Sequence, residues 1–175
     1  MKTHIIRRAL LALGICSALN MQAQAPHPER IYLSGTGTDY TRTWEFYCSK
    51  GQNSGKWKSI EVPSCWELQG FGEYTYGRYY TIKGAKPSDE TGIYRYRFLT
   101  PDCGKTDRVK LFFDGVMTDA EVWVNGKSAG QIHQGAFYRF SYDITSLLKA
   151  EGENLLEVQL GGGWYIQTER IAEGN

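Results

Sequence analysis

The chain has 175 residues, with 20 lysines and arginines against 19 aspartates and glutamates for a formal net charge of +1, and 14% of its residues are aromatic. That balance leaves no basic excess of the kind that holds a nucleic-acid backbone. The length suits one domain with a true core rather than two large ones, and the aromatic share suits a β-sandwich interior because each ring buries a large apolar surface.

The first element is a leader. Residues 1–25 carry Lys2, Arg7 and Arg8, then an apolar run over 9–19 that is shorter than the roughly 20 residues a spanning helix needs, then Ala23-Gln24-Ala25 as a small-x-small cleavage pattern. A secretory signal peptide cleaved before Pro26 is expected, which places the mature chain in the periplasm or outside the cell with no membrane span. A lipoprotein signal at Leu13-Gly14-Ile15-Cys16 is disfavoured, since Ile15 stands where a small residue should precede the lipidated cysteine. Three of the 20 basic residues leave with the leader, so 17 remain against 19 acidic ones, a formal charge of −2.

Residues 26–43 read as a polar lead-in. Its SGTGTD run is followed by no strand-to-helix switch, which argues against a phosphate-binding loop. From Trp44 onward the pattern alternates with period two, the signature of half-buried strands. Tyr94, Tyr96 and Phe98 fall on one face, with Arg95 and Arg97 on the other. Val109, Leu111 and Phe113 form a second strand, and Ala120, Val122 and Val124 a third. Asn125-Gly126 then predicts a type I′ hairpin turn, since both central positions need positive φ. Residues 137–142 predict a strand, 143–146 a capped short helical turn, and Leu156, Val158 and Leu160 the last strand. The fold class is all-β, an antiparallel β-sandwich.

Certain residues carry a resemblance. WKSIEVPSCWE from Trp57, Tyr79-Tyr80, TGIYRYRF from Thr91, Gly115-Val116, AEVWVNG from Ala120, Gly130, HQGAFYRF from His133 and Asp143-Ile144-Thr145 occur in the order found in glycoside hydrolase family 2. They resemble the N-terminal sugar-binding domain of that family, and β-galactosidases above all. The resemblance implies a jelly roll of the galactose-binding-domain-like type over residues 44–160, with a divergent tail at 161–175. It also implies that an immunoglobulin-like domain and a (β/α)₈ barrel with two catalytic glutamates belong to the full enzyme. The chain is therefore expected to be a truncated product or fragment, and one sheet to keep an unpaired edge where the family's closing strand is missing.

Chemistry points the same way. Retaining glycoside hydrolysis needs two carboxyls about 5 Å apart across the scissile bond. Asp89-Glu90 is the adjacent acidic pair, and neighbours in sequence do not straddle a sugar. His133 and His27 have no triad to serve, so no catalytic residue is assigned. Carbohydrate is the expected partner, at most weakly bound. Its candidate contacts are Asp89, which the resemblance places near a galactose-contacting asparagine, and Trp66, Tyr74, Tyr76 and Tyr80 around a glycine-rich loop. No cofactor or metal is expected, calcium included, because no acidic cluster has oxygen-ligand spacing. Cys48, Cys65 and Cys103 fit no zinc pattern, and their pairing is open. The alternatives are a free-standing carbohydrate-binding module and a purely structural or adhesive sandwich.

Overall fold

The computed structural model describes residues 29–73, 83, 89–102, 107–116, 119–135, 137–161 and 166–173. Ten strands form two antiparallel sheets: β1 (Glu29–Ile31), β2 (Arg42–Cys48), β3 (Trp57–Val62), β4 (Thr91–Leu99), β5 (Arg108–Val116), β6 (Ala120–Val124), β7 (Lys127–Ser128), β8 (Phe140–Asp143), β9 (Glu153–Gly161) and β10 (Ile166–Glu173). One sheet has the order β1-β10-β5-β8 and the other β3-β2-β4-β9-β6-β7. Their inner faces enclose the core.

The alternation anticipated from sequence is the alternation observed. Gly92, Tyr94 and Phe98 of β4 point inward, as do Val109, Leu111 and Phe113 of β5 and Leu156, Val158 and Leu160 of β9, all buried. On the wet face of the larger sheet the Arg95 guanidinium lies 3.9 Å over the Trp57 ring and donates to Glu157 across the β4–β9 ladder at 2.8 Å. Such a cross-strand pair fixes register as well as shielding the sheet surface.

Asn125 and Gly126 have φ of 53° and 75°, and β6 turns into β7 with Val124 opposite Lys127, as a type I′ turn requires. Asn125 also serves the core edge. Its Nδ2 donates to Leu147 O at 2.9 Å and to Asn154 Oδ1 at 2.8 Å, while its Oδ1 accepts from the Leu155 N–H at 3.0 Å. Asn154 is fully buried, accepts again from the Lys149 N–H at 2.9 Å and donates to Thr100 Oγ1 at 2.8 Å. The 3₁₀ turn Thr145–Leu147 follows Asp143, whose carboxylate accepts from the Thr145 hydroxyl at 2.6 Å and the Thr145 N–H at 3.1 Å. Those two bonds hold the Asp143 carboxyl below its ordinary range.

Three expectations change. The strand expected over 137–142 is shorter and shifted, with Phe137 and Tyr138 exposed at 85% and 72%. The cause is a bulge in β5, where Gln167 pairs with Gly115 and Thr168 with Phe113, leaving Asp114 without a register partner. A bulge twists a strand and ends pairing, so β8 starts only at Phe140 opposite Phe113 and Arg139 reaches Asp114 by its side chain instead, at 2.6 Å. The lead-in supplies β1. The tail supplies β10, which pairs with β5 on one side and β1 on the other, so the edge expected to stay unpaired is filled.

Removing the Asn154 side chain takes a part-buried hydrogen-bond partner from Asn125 Nδ2, the Lys149 N–H and Thr100 Oγ1, at about 1 kcal/mol each. Asn154→Ala is expected to lower the unfolding free energy read from urea titration by at least one such increment, and an unchanged value would show the network to be dispensable.

Candidate functional site

Of the residues singled out for sugar contact, Trp66 and Asp89 are described, and they differ in burial. Trp66 is 0% exposed. It precedes the 3₁₀ turn Glu67–Gln69, which the Gly70 N–H closes onto Glu67 O, and its ring packs 5.4 Å from Phe46 and 6.5 Å from Tyr94. With no ring face open to solvent, Trp66 is a core residue and the stacking role expected of it is withdrawn. The ring lies across β4 at Gly92, where an added Cβ would collide with the indole carbons and stand 2.8 Å from Phe46. Tyr74, Tyr76 and Tyr80 lie outside the described residues.

Asp89 and Glu90 are set in opposite environments. Asp89 is exposed and ion-paired with Lys50, whereas Glu90 is 3% exposed and accepts from the Glu73 N–H at 2.7 Å. Gly72 closes the Glu90 carboxyl off, since a Cβ there would stand 3.3 Å from it and 3.4 Å from the Trp66 Nε1. Burial raises the Glu67 carboxyl, a bond from its own backbone N–H opposes this, and the Glu90 charge adds to it. A raised carboxyl is the kind a general acid uses, yet Glu90 is buried and already accepts from the Glu73 N–H, so the two are not presented together to a sugar.

Cys48 is buried, its Sγ donating to Lys50 O at 3.1 Å, and burial pushes its thiol up. Burial likewise raises the Cys65 thiol. Both thiols are free, and Cys103 lies outside the described residues. No group of three or more metal-ligating side chains occurs among the described residues.

His133 belongs to the sandwich. Its backbone exchanges bonds with Ala120 at 2.9 and 3.0 Å, and its ring stacks on Phe140 with centroids 3.6 Å apart and planes 12° from parallel. The hydrogen bonds come from its backbone, for Nε2 is buried without a partner among the described residues and burial lowers the imidazole pKa. A neutral ring packed on an aromatic has no general-base circuit.

An open concavity lies among the described residues, where sequence reasoning found only a lead-in. A cleft of about 500 Å³ lies between the end of β1, the loop before β2 and the start of β2, lined among others by Arg30, Tyr32, Thr36, Tyr40, Thr41 and Arg42. The SGTGTD loop closes on itself through Thr36 N–H to Tyr40 O at 2.9 Å and Tyr40 N–H to Gly37 O at 3.1 Å, and is tied to β3 by Gly35 N–H to Val62 O at 3.0 Å. Flanking arginines and tyrosines were the available signal, yet only the fold brings them round one space.

Comparison with known proteins agrees with this sandwich. Residues 39–170 match the profile described as glycosyl hydrolases family 2, sugar binding domain. The chain belongs to that family. The family domain here is 34% identical over 121 residues to a β-galactosidase of Vibrio cholerae, covering 65% of this chain and 12% of that protein. It is 30% identical over 144 residues to a β-galactosidase of Bacteroides ovatus, covering 73% of this chain and 16% of that protein. The chain thus spans under a fifth of the length of these curated relatives. Among solved structures, an FMN-binding β-glucuronidase of Faecalibacterium prausnitzii superposes with a TM-score of 0.61 at 24% identity, over 85% of this chain and 23% of the other, a likeness of fold.

Two outcomes follow from the packing. Gly92→Ala is expected to cost about 1–3 kcal/mol in thermal unfolding, as overpacking against rigid rings does. His133→Ala is expected to lower the melting temperature while leaving galactoside affinity unchanged, and the reverse pattern would return His133 to the site. Because folding lowers the His133 pKa from 6.5, its contribution is present in full above that value and is lost as pH falls through the lower folded value. His133→Phe is expected to flatten that part of the stability profile.

Proposed function

We propose that this domain serves as the non-catalytic N-terminal sandwich of an exported β-galactosidase-like glycoside hydrolase acting in carbohydrate metabolism. The observation that carries this reading is the family match over residues 39–170, in which the AEVWVNG hairpin and, from HQGAFYRF, His133 and Phe140 serve sheet packing. In such an enzyme a barrel supplies the acid/base and nucleophile glutamates, hydrolysis of the O-glycosidic bond proceeds with retention, and this domain supplies a rigid wall. Asp89 is the residue assigned to sugar contact in this reading; its exposure just before β4, beside Lys50, supports the assignment.

The purified chain is expected to release no nitrophenol from nitrophenyl β-galactoside above the buffer rate. Turnover that persists through further purification would sink the non-catalytic reading. N-terminal sequencing after expression in an exporting host is expected to begin at Pro26, and a retained Met1 would argue against export.

A further inference from the structure

We propose that the cleft beside the SGTGTD loop binds an anionic sugar unit, one carrying a carboxylate or sulfate group, with Arg42 as its principal contact. The space, about 500 Å³, lies within the range of about 300–1,000 Å³ usual for small-molecule sites. Its lining is the chemistry that acidic saccharides need. The Arg42 guanidinium matches an anionic group with paired N–H donors, the exposed Tyr40 ring at the rim suits sugar C–H groups, and the Thr36 hydroxyl suits a ring hydroxyl.

Arg42 is distinguished from Arg95, Arg97, Arg108 and Arg139 by its surroundings. Arg95, Arg97, Arg108 and Arg139 each meet a carboxylate. Arg42 donates instead to the neutral Tyr96 hydroxyl at 3.2 Å, and no carboxylate among the described residues pairs with it. Glu61, near Arg42 on the neighbouring strand, is engaged by the hydroxyls of Thr41 and Thr43 at 2.7 and 2.8 Å. Asp39 lies in the loop and is absent from the lining.

The guanidinium is also braced from below. Tyr96 stacks on Trp44 with centroids 4.9 Å apart, and the Trp44 indole N–H donates to Leu33 O at 3.1 Å. One buried ring therefore fixes both the loop that makes the far wall and the tyrosine that holds Arg42. Tyr40 stands 76% exposed at the rim, held there by its two backbone bonds to the loop. Such prior ordering lowers the entropic cost of binding. The wall from Arg30 to Thr36 precedes residue 39, where the family match begins, so the cleft is not a property of the matched profile.

Calorimetry on the full chain with an oligogalacturonate, a sulfated galacto-oligosaccharide and neutral galactobiose tests this. At least one anionic sugar is expected to bind about tenfold or more tightly than galactobiose, with affinity falling as salt is raised. Binding of the carboxylated sugar alone assigns a planar carboxylate to the fork, and binding of both anionic sugars assigns recognition of charge. Arg42→Ala is expected to weaken binding about tenfold and Arg42→Lys less, with Tyr40→Ala as a second variant at an exposed site. No heat at millimolar sugar, equal affinity for galactobiose, or full affinity in both Arg42→Ala and Tyr40→Ala would overturn the proposal. None of these readouts involves glycosidase turnover, so their failure leaves the enzyme-domain reading untouched.

Discussion

The structure depends on the interlock of large rings between β2, β4 and the segment that follows β3. Phe46 lies 4.5 Å from Tyr94, 5.4 Å from Trp66 and 4.9 Å from Phe71, and Trp44 meets Tyr94 edge-on at 6.5 Å. Each ring excludes a large apolar surface from water, worth about 1.5–3 kcal/mol for a side chain of this class. Geometry makes the burial possible. Trp66 fits only because position 92 lacks a side chain, and Gly72 closes over its Nε1 and the buried Glu90. Not every polar atom in this interior is matched, since Trp66 Nε1 and Tyr94 Oη make no hydrogen bond among the described residues. The rings are retained for packing.

Most of the sandwich was readable in the sequence because its signals are local. Period-two alternation in β4, β5, β6 and β9 records which side of a pleat meets the core, and Asn125-Gly126 records a backbone that needs positive φ twice. β1 and β10 have no such local mark. A three-residue strand and a strand from the tail become recognisable only when they pair with each other. The late start of β8 at Phe140 was equally hidden, for a bulge at Asp114 is a property of the partner strand.

The candidate site shows the same division. Composition identified aromatics and acids near glycines but not the direction of any ring, and Trp66 proved to face inward. Asp89 and Glu90, adjacent at the entry to β4, diverge in a way no composition records, one to solvent with Lys50 and one to the interior. The cleft escaped notice because its walls are joined through Trp44, whose hydrogen bond to Leu33 and stacking on Tyr96 connect segments far apart in the chain. A lead-in that reads as a linker is thereby made part of a surface.

The placement of β10 between β1 and β5 bears on how the molecule is made. The larger sheet closes from pairings within residues 42–161, and the smaller sheet waits for Ile166–Glu173 before β1 has any partner. Joining segments so distant in the chain carries the largest loop-closure cost in the fold, and synthesis at about 5–20 residues per second makes it the last pairing available to the nascent chain. Until then the larger sheet is a folded half with an apolar inner face only partly covered. Residues 29–31 and 166–173 therefore complete the smaller sheet together, since β1 has no other strand partner among the described residues.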